Sequence, residues 1–122
     1  INLINEICIY LDIKTDVYIS SEIKKDNLLK GEEKIIEICK ILGANHYINP
    51  IGGVELYSKK RFQEEEIKLS FLKIYNILYN QGESDFIPNL SIIDVLMWNS
   101  EDVVKKMLKE YKLIEGKKNE KE

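Results

Sequence analysis

The sequence predicts an α/β fold with a short, mainly parallel sheet, flanking helices and a C-terminal helical pair. Three observations carry this. Short β-prone runs lie near 16–20, 46–49 and 67–74. Stretches with apolar residues at helical spacing separate them, and that alternation marks the class. Helical crossovers between strands favour parallel pairing, so 16–20 and 46–49 are expected as parallel neighbours.

Residues 2–12 open as an amphipathic helix, with Ile4, Ile7, Cys8 and Leu11 on one stripe. Lys14-Thr15-Asp16 breaks the pattern, and Val17-Tyr18-Ile19 is the first β-prone run. After a polar connection at 27–31, a helix over 32–42 places Ile35, Ile38, Cys39 and Leu42 on its stripe and stops at Gly43. His46-Tyr47-Ile48 is the second strand. Asn49-Pro50-Ile51-Gly52-Gly53 reads as irregular, because Pro50 lacks a donor and glycines permit positive φ. Short helices are expected over 54–57 and 59–65. Ile67, Leu69 and Phe71 then alternate with Lys68 and Ser70, the pattern of a half-exposed strand.

Residues 75–89 are irregular, with Gly82 and Pro88 as breakers. Ser91 with Asp94 three residues on resembles a capping box that opens a helix to about Trp98. Ser100, followed by Glu101 and Asp102, opens the next helix, with Val104, Met107, Leu108 and Tyr111 on its core stripe. Residues 1–114 read as one domain, and 115–122 as a charged disordered tail.

Composition narrows the function classes. Hydrophobic residues make up 44%, enough for a core, and 18 Lys+Arg stand against 21 Asp+Glu. That acidic balance argues against nucleic acid as a partner, since phosphate binding needs a basic excess. No apolar run reaches the roughly 18–20 residues of a membrane span, and a cytoplasmic location is expected. Cys8 and Cys39 sit in apolar stripes, so both are expected as buried thiols without a disulfide. No metal site can be assembled from the Cys and His spacing.

Unusual residues concentrate in two segments. The first is His46-Tyr47-Ile48-Asn49-Pro50-Ile51-Gly52-Gly53, running on to Tyr57. A loop after a parallel strand is where open α/β sheets bind ligands, and glycines let a ligand approach the backbone. A plain turn would use the same residues. His46, the single histidine, is either a general base or a hydrogen-bonded structural residue. The second segment joins Tyr79-Asn80-Gln81 to Phe86-Ile87-Pro88-Asn89, polar groups among apolar anchors, which suits a small-molecule pocket or a loop pinned to the core. The candidate ligand-binding residues are Tyr47, Asn49, Gly52, Gly53, Tyr57, Tyr79, Gln81 and Asn89, expected within one pocket; Asp94 reads as a cap.

Several blocks share a family's order: 42–49 (Leu-Gly-Ala-Asn-His-Tyr-Ile-Asn), Gly52-Gly53, Tyr57, Phe62, Tyr79-x-Gln81 and 86–96 (Phe-Ile-Pro-Asn-Leu-Ser-Ile-Ile-Asp-Val-Leu). This pattern resembles the WbqC-like family over roughly residues 15–113. The resemblance implies a bacterial protein of O-antigen and surface-polysaccharide biosynthesis, transferring an acyl or aminoacyl group to an amino sugar. Members open with a strand and His-Gln-Pro and Tyr-Leu-Pro-Trp motifs, so this chain resembles a C-terminal half. Asn49-Pro50 stands where members more often carry Ser or Gly.

Two readings follow. In one, the chain is the ligand-binding portion of such a transferase. The 49–53 loop then holds a phosphate or carboxylate of a nucleotide-sugar or acyl donor, Tyr57, Tyr79 and Gln81 orient the sugar, and His46 is the base. In the other it is a non-catalytic binding or scaffolding domain. The sequence specifies no cofactor. A homodimer, or packing with a preceding segment, would cover its open side.

Overall fold

The structure is a computed structural model that describes residues 1–83 and 85–115. Its elements are α1 (Asn2–Tyr10), α2 (Gly31–Ile41), β1 (His46–Pro50), a 3-10 turn at Ile51–Gly53, α3 (Lys59–Gln63), β2 (Lys68–Ile74), α4 (Ile92–Trp98), α5 (Glu101–Met107) and β3 (Tyr111–Glu115). The class is α/β, as the alternation of patterns predicts.

The sheet has the order β1-β2-β3. β1 and β2 are parallel, with Tyr47 opposite Leu69 and Asn49 opposite Phe71. At the far end of β2, the Tyr75 N–H donates to the Glu110 carbonyl at 2.9 Å, joining the exit of β2 to the entry of β3 as an antiparallel pair does. The sheet is therefore mixed.

Its membership differs from the expectation in one strand lost and one gained. Residues 16–20 form no strand: Val17 and Tyr18 are exposed, and among the described residues no backbone hydrogen bond ties the run to the sheet. β-propensity describes fit to a pleated surface, and three apolar residues without a ladder do not supply one. The parallel neighbour of β1 is accordingly β2. The gained strand is β3, which holds Tyr111 where a helical stripe is expected; α5 stops at Met107. β1 also extends over Asn49 and Pro50, and turns replace the helix expected over 54–57. The expected tail overlaps β3 at Glu115, and its remainder, 116–122, lies outside the described residues.

The chain divides into two compact units. One comprises Ile1–Asp16 and Ile74–Tyr111, the other Val17–Lys73 and the described residues from Lys112 on. The second holds the main core: Ile36 and Cys39 of α2, Phe62 of α3, and Ile67, Leu69 and Phe71 at β2, with Tyr47, Val54 and Tyr57 packed against them. Helix α2 ends in a Schellman motif, with Gly43 at φ +65, the Ala44 N–H on the Cys39 carbonyl at 2.8 Å and the Gly43 N–H on that of Lys40 at 3.1 Å. In the first unit the buried apolar residues are Leu11 and Val104. Both cysteines are free thiols; Cys39 is buried, which pushes its pKa up, whereas Cys8 is half-buried.

Arg61 clamps α3 to α2. Its Nε and Nη2 donate to the two carboxylate oxygens of Glu33 at 2.7 and 2.9 Å, and its Nη1 to Glu65 at 2.7 Å; Lys40 also pairs with Glu65. These bonds hold the Glu33 carboxyl below its usual range through Arg61, and that of Glu65 through Lys40 and Arg61. A depressed folded pKa gives stability that is present above the unfolded value of about 4.3 and is lost as pH falls through the folded one. The urea midpoint is therefore expected to drop on acidification below about pH 4.3, and less steeply in Arg61→Met.

Ser91 begins α4 and its Oγ accepts from the Ile93 N–H at 3.3 Å. Ser91→Ala should cost about 1 kcal/mol by denaturant titration. The other half of the expected capping box does not form, because Asp94 receives the Tyr79 hydroxyl instead.

Candidate functional site

The sequence-predicted residues fall into three groups. His46 stands at the start of β1, on the sheet face that also carries Ser70 of β2. Its Nε2 lies 2.9 Å from Ser70 Oγ. Ser70 is 2% exposed, so this half of β2 is covered on both faces and is not half-exposed. The pair satisfies a buried hydroxyl and fixes the orientation of the imidazole.

Tyr47, Asn49, Gly53 and Tyr57 come together on the opposite, core-facing side. Tyr47 stacks on Phe62 with centroids 5.6 Å apart and planes 10° from parallel, while Tyr57 meets Tyr47 edge-on at 5.6 Å. Asn49 Nδ2 donates to the Tyr47 hydroxyl at 2.7 Å. Burial, aided by the hydroxyl of Tyr57, pushes the Tyr47 phenol up to about 12, and the Asn49 bond pulls the other way. Gly53 is buried beneath Asn49, where a Cβ would lie 2.3 Å from Asn49 Oδ1. Gly52 is exposed and a Cβ there would meet open space. Neither glycine has positive φ. Close approach is what requires glycine here, and at Gly53 only.

The third group lies in the other compact unit. The Tyr79 hydroxyl donates to Asp94 Oδ2 at 2.6 Å, which raises its pKa, and its ring meets Phe86 edge-on at 5.7 Å. Gln81 clasps Ile87 through both amide atoms, Nε2 to the carbonyl and Oε1 to the N–H, each at 2.8 Å. Asn89 takes a left-handed backbone, φ +59, in the turn before α4, a conformation asparagine tolerates. These bonds fasten Tyr79 to α4 and Gln81 to Ile87. The 46–57 group belongs to the unit of the main core and the 79–89 group to the other unit.

Two partners escape sequence reading. Ser70 resembles any polar residue on a strand's outer face, and only the β1–β2 register places it beside His46. Asp94 sits at a capping position by spacing, so nothing local marks its bond to Tyr79. Among the described residues no group of three His, Cys, Asp or Glu side chains stands close enough to hold a metal, and no helix is long and apolar enough to cross a membrane.

No curated protein and no solved structure matches the chain. A model of the WbqC-like protein family does, over residues 1–106, beginning earlier and ending sooner than the 15–113 of the motif resemblance. That span takes in α1 to α4, α5 up to its last residue, the His46–Ser70 pair and the Tyr79–Asp94 bond, and the chain belongs to the WbqC-like protein family.

Proposed function

We propose that this chain is the ligand-binding portion of a cytoplasmic transferase. It moves an acyl or aminoacyl group onto an amino sugar or nucleotide-sugar for bacterial surface polysaccharide such as O-antigen. The observation that supports this most is the His46–Ser70 pair, a histidine held in one orientation by a buried hydroxyl at 2.9 Å. With Nε2–H donating to Ser70, the lone pair is on Nδ1. An amine of the sugar then attacks the carbonyl carbon of an activated acyl donor such as a thioester. The C–N bond forms, the C–S bond breaks, and the amine proton passes through Nδ1 to the departing thiolate. In this reading the 49–53 loop meets the donor's phosphate or carboxylate through the exposed Gly52.

The test incubates the chain with acyl-coenzyme A and a UDP-linked amino sugar and follows product mass. An amide product that is lost in His46→Gln, with thermal stability kept, supports the reading. Equal product from His46→Gln overturns it. Absence of product from the unaltered chain favours a non-catalytic binding or scaffolding domain. The internal bonding of Tyr79 to Asp94 and Gln81 to Ile87 supports that second reading, since it gives both side chains structural work.

A further inference from the structure

Helix α4 is apolar on every side. Asp94 is the single polar residue of Ile92–Trp98, and its carboxylate holds the Tyr79 hydroxyl. A helix of that kind is ordinarily buried all round, yet none of the residues of α4 is buried. Ile93 and Met97, one turn apart, form an exposed stripe, and Met97 is 79% exposed. Ile87 and Leu90, just ahead of the helix, are exposed as well.

Trp98 ends the helix beside the Gly82 turn. It is 48% exposed, and its Cη2 and Cζ2 atoms lie 3.2 and 3.7 Å from where a Cβ on residue 82 would stand. Glu83 and Asp85 follow that glycine; both are exposed, and neither makes an ion pair among the described residues. The Tyr79–Asp94 bond ties the segment before the turn to α4, and Gln81 clasps Ile87 beyond it. The acidic residues are thus presented next to an apolar stripe that ends in a tryptophan. From Ile74 to Val104 the charged residues are Glu83, Asp85, Asp94, Glu101 and Asp102, with no Lys or Arg among them. All of these residues belong to one compact unit.

Charge selects the occupant. A second copy would bring acid against acid, and a nucleic acid or an anionic membrane would meet its own sign. A cationic amphipathic helix fits on both counts. Its apolar stripe lies on Ile93, Met97 and Trp98, and its Lys or Arg side chains reach Glu83, Asp85 and the indole face. Methionine adapts to such partners and tryptophan anchors them. We infer that this surface docks a basic amphipathic helix of a partner protein. The inference is independent of the transfer chemistry ascribed to His46, so either can fail alone.

Trp98 is the single tryptophan of the chain, so its emission reports docking directly. The probe is a synthetic peptide of Lys and Leu at helical spacing, free of aromatic residues. Titrated into the full chain, it should move the Trp98 emission to the blue and saturate, with affinity falling as salt rises. The same residues in scrambled order should bind at least about tenfold more weakly, and a peptide with Glu in place of Lys should cause no shift. Met97→Ser should weaken the Lys peptide about tenfold at an unchanged melting temperature. Glu83→Gln combined with Asp85→Asn should weaken it and flatten the salt dependence. An unmoved emission, equal binding of the scrambled or the Glu peptide, or unchanged affinity in Met97→Ser would each overturn the assignment. So would a dimer in sedimentation that Met97→Ser disperses, since a second copy would then be the occupant.

Discussion

Phe62→Ala should cost about 3–5 kcal/mol, the range for deleting a buried phenylalanine. Phe62 is fully buried, with 0% exposure, and stands where α3 meets α2 and β2. Its ring is the surface on which Tyr47 stacks and against which Tyr57 turns its edge. Truncation leaves a void between elements already joined by the Arg61 clamp, so the site cannot collapse freely and the cavity penalty stays. Domain stabilities of about 5–15 kcal/mol make such a loss decisive. Urea titration followed by circular dichroism checks it. Phe62→Leu, which keeps most of the volume, should lose less. A loss under about 1 kcal/mol for Phe62→Ala would mean that α3 does not seal this core.

The sequence makes helices and central strands legible because their causes are local. The apolar stripe of α2 predicts Cys39 inside, and the glycine beyond its end predicts the stop, with Gly43 left-handed; the buried face runs through Ile36 and Cys39, while Leu42 of the expected stripe is exposed. The alternation Ile67, Leu69, Phe71 predicts which face of β2 is core. Strand membership at the margins is a different matter, since it depends on a partner. Val17-Tyr18-Ile19 has the composition of a strand and no ladder, while Tyr111–Glu115 has a ladder and follows a helical stripe closely enough to be read as its continuation. The alternation of Tyr111 and Leu113 with Lys112 was the available signal.

The candidate site was legible as a set of unusual residues and not as a set of contacts. Tyr47, Asn49 and Tyr57 do cluster, yet the cluster belongs to the core face, with the Asn49 amide spent on the Tyr47 hydroxyl. A polar residue beside a Gly-Gly pair looks the same in sequence whether it faces a ligand or a neighbouring ring. Cross-strand partners are invisible to any local pattern, which is why Ser70 was missed beside His46.

The two adjacent glycines should separate sharply on substitution. Gly53→Ala is expected to destabilise by about 1–3 kcal/mol, whereas Gly52→Ala should stay within about 0.5 kcal/mol. A methyl at residue 53 would sit 2.3 Å from Asn49 Oδ1, 3.2 Å from Asn49 Cγ and 3.4 Å from the Tyr57 ring. The Asn49 amide is the end of a short side chain and can rotate, but not freely. Its Nδ2 is bonded to the Tyr47 hydroxyl at 2.7 Å, so moving it breaks that bond and leaves the half-buried phenol with Tyr57 alone. The lost bond, about 0.5–1.5 kcal/mol, together with overpacking by the new methyl sets the expected loss. The phenol reports the event directly. Asn49 is the bond that lowers the Tyr47 pKa against burial, so in Gly53→Ala that residue should ionise at higher pH than the value of about 12 in the unaltered chain. At residue 52 nothing lies within 4 Å of a new methyl, so that variant carries neither effect. Paired urea midpoints and an alkaline ultraviolet titration of tyrosine measure both. Equal midpoints for the two variants would show that Asn49 yields without losing Tyr47, and that the close packing at Gly53 is not what holds the loop.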